Sequence, residues 1–189
     1  MFEAVLSIGL EIFALGKRLN MTRLQAFAQL ALGEIASTEY IEDAERAERG
    51  LEYLIEANEL YQEDASLFST DEFGRLCMAL STLYRSHKKD TSQAKRWLEL
   101  AKDKITDKRV LLQFYTETAQ ILAGEKKFHQ SLDSNKKAME LARQLYREDD
   151  YAMFELQMAL AESYERCDER EQAEAIFDEC FQQMDGRDG

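Results

Sequence analysis

Two histidines, His87 and His129, and three cysteines, Cys77, Cys167 and Cys180, are the side chains best suited to acid–base, nucleophilic or metal chemistry. Each histidine sits at or beside an expected inter-helix turn with lysines next to it (HKK, KKFH), which predicts exposure to solvent. Cys77 and Cys180 fall on apolar helix faces, the usual setting of inert core thiols. Cys167 lies at a turn among acidic residues, whose charge disfavours the thiolate. There is no CxxC, no His/Cys/Asp cluster at zinc-ligand spacing and no glycine-centred calcium loop. Glycine-rich phosphate loops and serine-nucleophile elbows are also absent. The acidic pairs Asp149-Asp150 and Asp168-Glu169 read as charges placed against helix N-termini. The expectation is a chain without catalysis, metal or cofactor.

The elements that position these residues follow from composition and periodicity. The chain has 189 residues, enough for one sizeable core, and no break in composition suggests two domains. It contains no proline, so punctuation falls to eight glycines and to polar clusters. Hydrophobic residues make up 45% and charged ones 32%, the mix of long amphipathic helices rather than of disorder. The odd cysteine count suits free thiols in a reducing cytoplasm. The apolar N-terminus, MFEAVLSIGLEIFALGKRL, lacks a basic start and a cleavage site, and Glu3 and Glu11 interrupt it. It is too short and too charged to span a bilayer and reads as an amphipathic helix.

A net charge of −13 argues against nucleic acid or anionic membrane as a ligand. The charge is uneven. Residues 1–84 hold 6 basic and 15 acidic side chains, residues 85–147 hold 15 and 8, and residues 148–189 hold 3 and 14. That basic waist could favour an acidic peptide or head-to-tail self-contacts, or could simply be the clustering of solvated helix faces.

Apolar residues recur at helical spacing almost throughout. Breaks near Asn20–Thr22, Thr38–Asp43, Ser66–Asp71, Lys88–Thr91, Thr106–Asp107, Gly124–Lys127, Glu148–Asp150 and Asp168–Arg170 predict nine helices. These run roughly over 2–18, 22–39, 43–62, 70–87, 91–105, 107–124, 128–146, 150–167 and 170–184. Short connections between long helices imply antiparallel neighbours.

The helices also repeat. The last unit, LQMALAESYERCDEREQAEAIFDEC, carries Leu160-Ala161, Tyr164, Ala173, Phe177 and Cys180. This resembles the tetratricopeptide pattern, in which Leu-Gly precedes an aromatic and a second helix carries Ala-x3-Phe. Thr118-Ala119, Leu122, Ser131, Asn135 and Ala138 occupy the same places one unit earlier, around the turn GEKKF. Leu80-Ser81, Tyr84, Ala94, Leu98 and Ala101 follow with one extra turn residue near Lys88–Thr91. The first full unit is the loosest, with Leu32-Gly33, Ala36, Gly50, Leu54 and Ala57. Small residues at the helix crossings let paired axes approach closely. The consensus terminal proline is missing from every unit, and Asn135 replaces a large apolar residue, so its amide needs hydrogen-bond partners.

The resemblance implies a right-handed α-solenoid, a single domain over 1–189. It would comprise a half-repeat helix in 1–20 and helix pairs at 22–62, 70–105, 107–146 and 150–184. In that family the first helix of each pair lines a concave groove, mainly through its second, fifth, ninth and twelfth positions. Here those are Arg75, Met78, Thr82 and Arg85, then Gln113, Thr116, Gln120 and Ala123, then Glu155, Met158, Glu162 and Glu165. The first pair adds Phe27, Leu30, Glu34 and Ser37. Such mixed polar positions suit an adaptable peptide surface, and any of them could instead pack on the next repeat. The Lys and Asn clamp that co-chaperone members use on acidic tails is absent at Met78, Thr82, Thr116, Gln120, Met158 and Glu162.

The expected function is a protein- or peptide-binding scaffold. The alternative is a peptide-responsive regulatory domain of a larger signalling or transcription regulator, and an enzyme is the least supported reading. Solenoid ends without polar caps predict either a segment of a longer protein or ends covered by self-association or a partner.

Overall fold

The computed structural model describes residues 2–38, 44–147 and 150–185, and side chains within 6–37, 44–147 and 150–182. Among them the chain is all-α, with no strand. The helices are α1 (Phe2–Arg18), α2 (Thr22–Thr38), α3 (Ala44–Glu63), α4 (Thr70–Ser86), α5 (Thr91–Ala101), α6 (Lys108–Gly124), α7 (Phe128–Leu145), α8 (Tyr151–Arg166) and α9 (Arg170–Asp185). Most of the break expected over Thr38–Asp43, and Asp149 of the acidic pair, lie outside the described residues. The contacts gather into two compact units, residues 1–105 and 106–189.

In the first unit α1 packs on α2, α2 on α3 and α4 on α5, while α4 also meets both α2 and α3. Its core holds Leu30, Leu54, Leu76, Leu80 and Leu83, none of which reaches solvent. Each contributes about 2 kcal/mol of burial. A 3-10 turn that periodicity does not reveal, Ala65–Leu67, links α3 to α4, capped by Asp64. Beside it Tyr61 stacks on Phe73 with ring centroids 4.1 Å apart. A capping box starts α4: Ser69 Oγ accepts from Glu72 N, and Glu72 Oε2 accepts from Ser69 N.

Helix α5 stops at Ala101, four residues short of the predicted 105. The N–H of Lys104 bonds to Ala101 O, and the chain turns so that Ile105 covers Gly74. A Cβ on Gly74 would lie 2.7 Å from Ile105 Cγ1. Burial of Ile105 thus decides the end of α5, where helical periodicity alone would continue it.

In the second unit α6 packs on α7, α7 on α8 and α8 on α9. Leu112, Leu132, Met139, Ala142, Met153 and Leu160 form its core. Asp107 caps α6 by accepting from the N–H groups of Arg109 and Val110.

Small residues at the repeated positions of all four helix pairs are buried. Gly33, Ser81, Ala119 and Ala161 on the first helices are buried, as are Gly50, Ala94, Ser131 and Ala173 on the second. Ala57, Ala101, Ala138 and Cys180, one further turn pair along, are buried too. Helices α2 and α3 approach closely. A Cβ on Gly33 would lie 2.2 Å from Leu54 Cγ, and one on Gly50 would lie 2.2 Å from Ala36 Cβ.

The turns repeat as well. Asn20, Lys89, Lys126 and Asp168 adopt positive φ, between 53° and 60°. Each lies between α1 and α2, α4 and α5, α6 and α7, or α8 and α9. After Asn20, Lys126 and Asp168 the next N–H reaches back five residues, from Met21 to Gly16, Lys127 to Leu122 and Glu169 to Tyr164. This is the Schellman closure, which satisfies carbonyls the ending helix leaves open. The Lys89 turn holds one more residue, and there Asp90 N bonds to Tyr84 O.

Candidate interaction surfaces

In the first unit the predicted groove residues sit on α2 and α4, and much of that face is knitted shut. Arg75 Nε donates to Glu34 Oε1 at 2.6 Å, and its Nη2 donates to Glu34 Oε2. Arg75, expected to line the groove, is instead committed to Glu34 of α2. Leu30 and Met78, expected in the groove, are buried at 0% and 4% exposure. Both are core residues rather than groove residues. Thr82, Arg85 and Ser37 are half-buried, and Ser37 Oγ donates to Glu34 O. Phe27 stands out from this set at 41% exposure.

His129 is exposed as predicted, but His87 is not. Its side chain is 17% exposed and its Nε2 lies 2.8 Å from Glu48 Oε2, while Lys88 Nζ donates to both Glu48 oxygens. The bond from Lys88, then that from His87, hold the Glu48 carboxyl below the ordinary carboxylate range. A carboxylate stabilised this way is a poor proton acceptor, so the cluster ties α3 to the end of α4.

Sequence reasoning also missed a cavity of about 240 Å³ among α1, α2 and α3. Leu6, Leu10, Leu32, Ile35, Ala36, Gly50 and Tyr53 line it together with Glu45, Arg46 and Arg49. Its only signal in the sequence is the facing pair of small residues, Ala36 and Gly50.

The second unit leaves its predicted positions accessible. On α6, Gln113 and Gln120 are exposed and Thr116 is half-buried, with Thr116 Oγ1 donating to Leu112 O. On α8, Glu155, Glu162 and Glu165 are exposed and Met158 is half-buried. Glu162 lies 3.6 Å from Arg166, a pair about half exposed on both sides. Asn135 is satisfied as its position requires: Nδ2 donates to Ser163 Oγ at 2.6 Å and lies 3.4 Å from Ala159 O, stapling α7 to α8.

Burial pushes the Cys77 thiol up to about 12 and also raises Cys180. Cys167 is raised by its partial burial and then by Glu169. Of the three, only Cys167 is not fully buried. Iodoacetamide at pH 8 is therefore expected to label Cys167 slowly and to leave Cys77 and Cys180 unmodified until the chain unfolds. Peptide mapping reads this directly, and early labelling of Cys77 would contradict it. Among the described residues no group of three His, Cys, Asp or Glu could hold a metal ion. No described helix is long and apolar enough to cross a membrane.

No family model matches the chain, and no curated protein matches its sequence. Its structure is similar to the crystal structure of BtubC (BKLC) from P. vanneervenii, with a TM-score of 0.67 over 100% of this chain and 93% of that chain. The two share a fold. At 10% identity the likeness extends no further.

Proposed function

We propose that the chain is a non-catalytic protein- or peptide-binding scaffold, a right-handed stack of tetratricopeptide-like helix pairs. The observation that supports this best is the contrast between crossing positions and groove positions in the second unit. Small residues are buried at each crossing, while Gln113, Gln120, Glu155 and Glu162 remain exposed at the register positions that would line a groove. Polar side chains at helical spacing on a rigid support can read an extended or helical peptide. The acidic set on α8 favours a segment with basic residues over the acidic ligand that the charge of residues 85–147 suggested.

Capture with the intact chain followed by crosslinking mass spectrometry tests the reading. Crosslinks should map to α6 and α8, and Gln113→Lys with Glu162→Lys should weaken the captured partner about tenfold without altering the melting temperature. Binding indifferent to both substitutions would remove this surface from the function. A regulatory domain of a larger protein would use the same surface, with the peptide stabilising the fold by linkage.

A further inference from the structure

Helix α1 turns only part of its apolar surface toward α2. Gly9 and Gly16 are buried on that side, where a Cβ on Gly16 would lie 3.1 Å from the backbone N of Gln25. A second stripe, Ile8, Ile12, Leu15 and Leu19, recurs at spacings of four, three and four. Ile8, Leu15 and Leu19 are 56%, 36% and 54% exposed. Leu19 N still bonds to Leu15 O at 2.9 Å, so the helical path continues through the stripe.

The spacing matches an a/d seam, with Ile8 and Leu15 at d and Ile12 and Leu19 at a. The flanking positions then choose the partner. Glu11 and Arg18 fall at successive g positions, on one edge of the seam, and both are exposed. Gly9 and Gly16 fall at e, already covered by α2. In a parallel pair each g residue faces an e residue of the other helix, which here offers no charge. In an antiparallel pair g faces g. Glu11 of one copy then meets Arg18 of the other, and the two-fold axis makes the same contact twice.

We infer that α1 is a self-association site, pairing antiparallel with α1 of a second copy of this chain. Four seam residues a side make a small interface, so the association is expected to be weak and is to be sought in the micromolar range. This inference does not depend on the groove reading above.

Sedimentation velocity over about 1 to 200 µM tests it. The wild-type chain should pass from monomer to dimer across that range. Ile8→Asp with Leu15→Asp should remain monomeric with an unchanged helical signal. Glu11→Arg and Arg18→Glu should each weaken the dimer about tenfold, because both symmetric pairs become repulsive. Mixed in equal amounts, those two single variants should recover a heterodimer, since each now complements the other. The mixing result decides the matter even where the aspartate variant disturbs the fold. A wild-type monomer throughout the range, a dimer insensitive to these changes, or a mixture that fails to recover would overturn the assignment.

Discussion

Leu54→Ala is expected to lower the unfolding free energy by about 3–4 kcal/mol, and Gly33→Ala is expected to restore part of that loss. Leu54 has no solvent exposure, so truncation removes its transfer energy and leaves a cavity that the helix pair cannot fully close. The leucine rests against Gly33, whose absent Cβ would coincide with its side-chain atoms at 2.2 to 3.0 Å. In the native background Gly33→Ala therefore overpacks the crossing, costing about 1–3 kcal/mol against a helix-propensity gain of about 1. With alanine at 54 that space is free and the substitution becomes stabilising. The change of sign is the test. Urea unfolding of the wild type, both single variants and the double variant gives the coupling, and simple additivity would refute the knob-and-hole reading of this contact.

At Gly50 the neighbour cannot move aside in the same way. The atom 2.2 Å from its virtual Cβ is Ala36 Cβ, fixed directly to the α2 backbone, where at Gly33 the obstacle is the end of a flexible side chain. Gly50→Leu is expected to force α2 and α3 apart and cost about 3 kcal/mol or more. Gly50→Ala should cost less, and Ala36→Gly in the same chain should relieve it by moving one methyl across the crossing. Thermal unfolding of the three variants reads the result, and a Gly50→Leu protein as stable as wild type would mean the helices are not held at this spacing.

Periodicity was enough to place the helices, the end of α5 apart, because apolar residues recur at helical spacing along each and no proline interrupts them. The resemblance to the tetratricopeptide pattern, rather than periodicity, singled out the small repeat positions and the amide of Asn135 that had to be bonded. Register reports which side of its own helix a residue occupies. It does not report what the next helix brings to meet it. Glu34 and Arg75 are 41 residues apart, and nothing local shows that they pair with each other or that Met78 is buried. His87 failed for the same reason: a turn position predicts exposure, and Glu48 arrives from α3. Ile105 shows the converse, a single apolar residue past a helix end whose burial redirects the chain.

The left-handed corners at Asn20, Lys89, Lys126 and Asp168 have a kinetic consequence. Each lets a helix fold back on its immediate predecessor, so most native packing joins segments close in the chain. Local packing of this kind favours fast closure of each helical hairpin, with little loop entropy lost before contacts form. During synthesis a helical hairpin can close as soon as its second helix is free, before later pairs exist. Lys126→Gly is expected to raise the refolding rate in stopped-flow measurements, because glycine reaches the left-handed conformation without the strain a lysine bears there, and an unchanged rate would place that corner after the rate-limiting step.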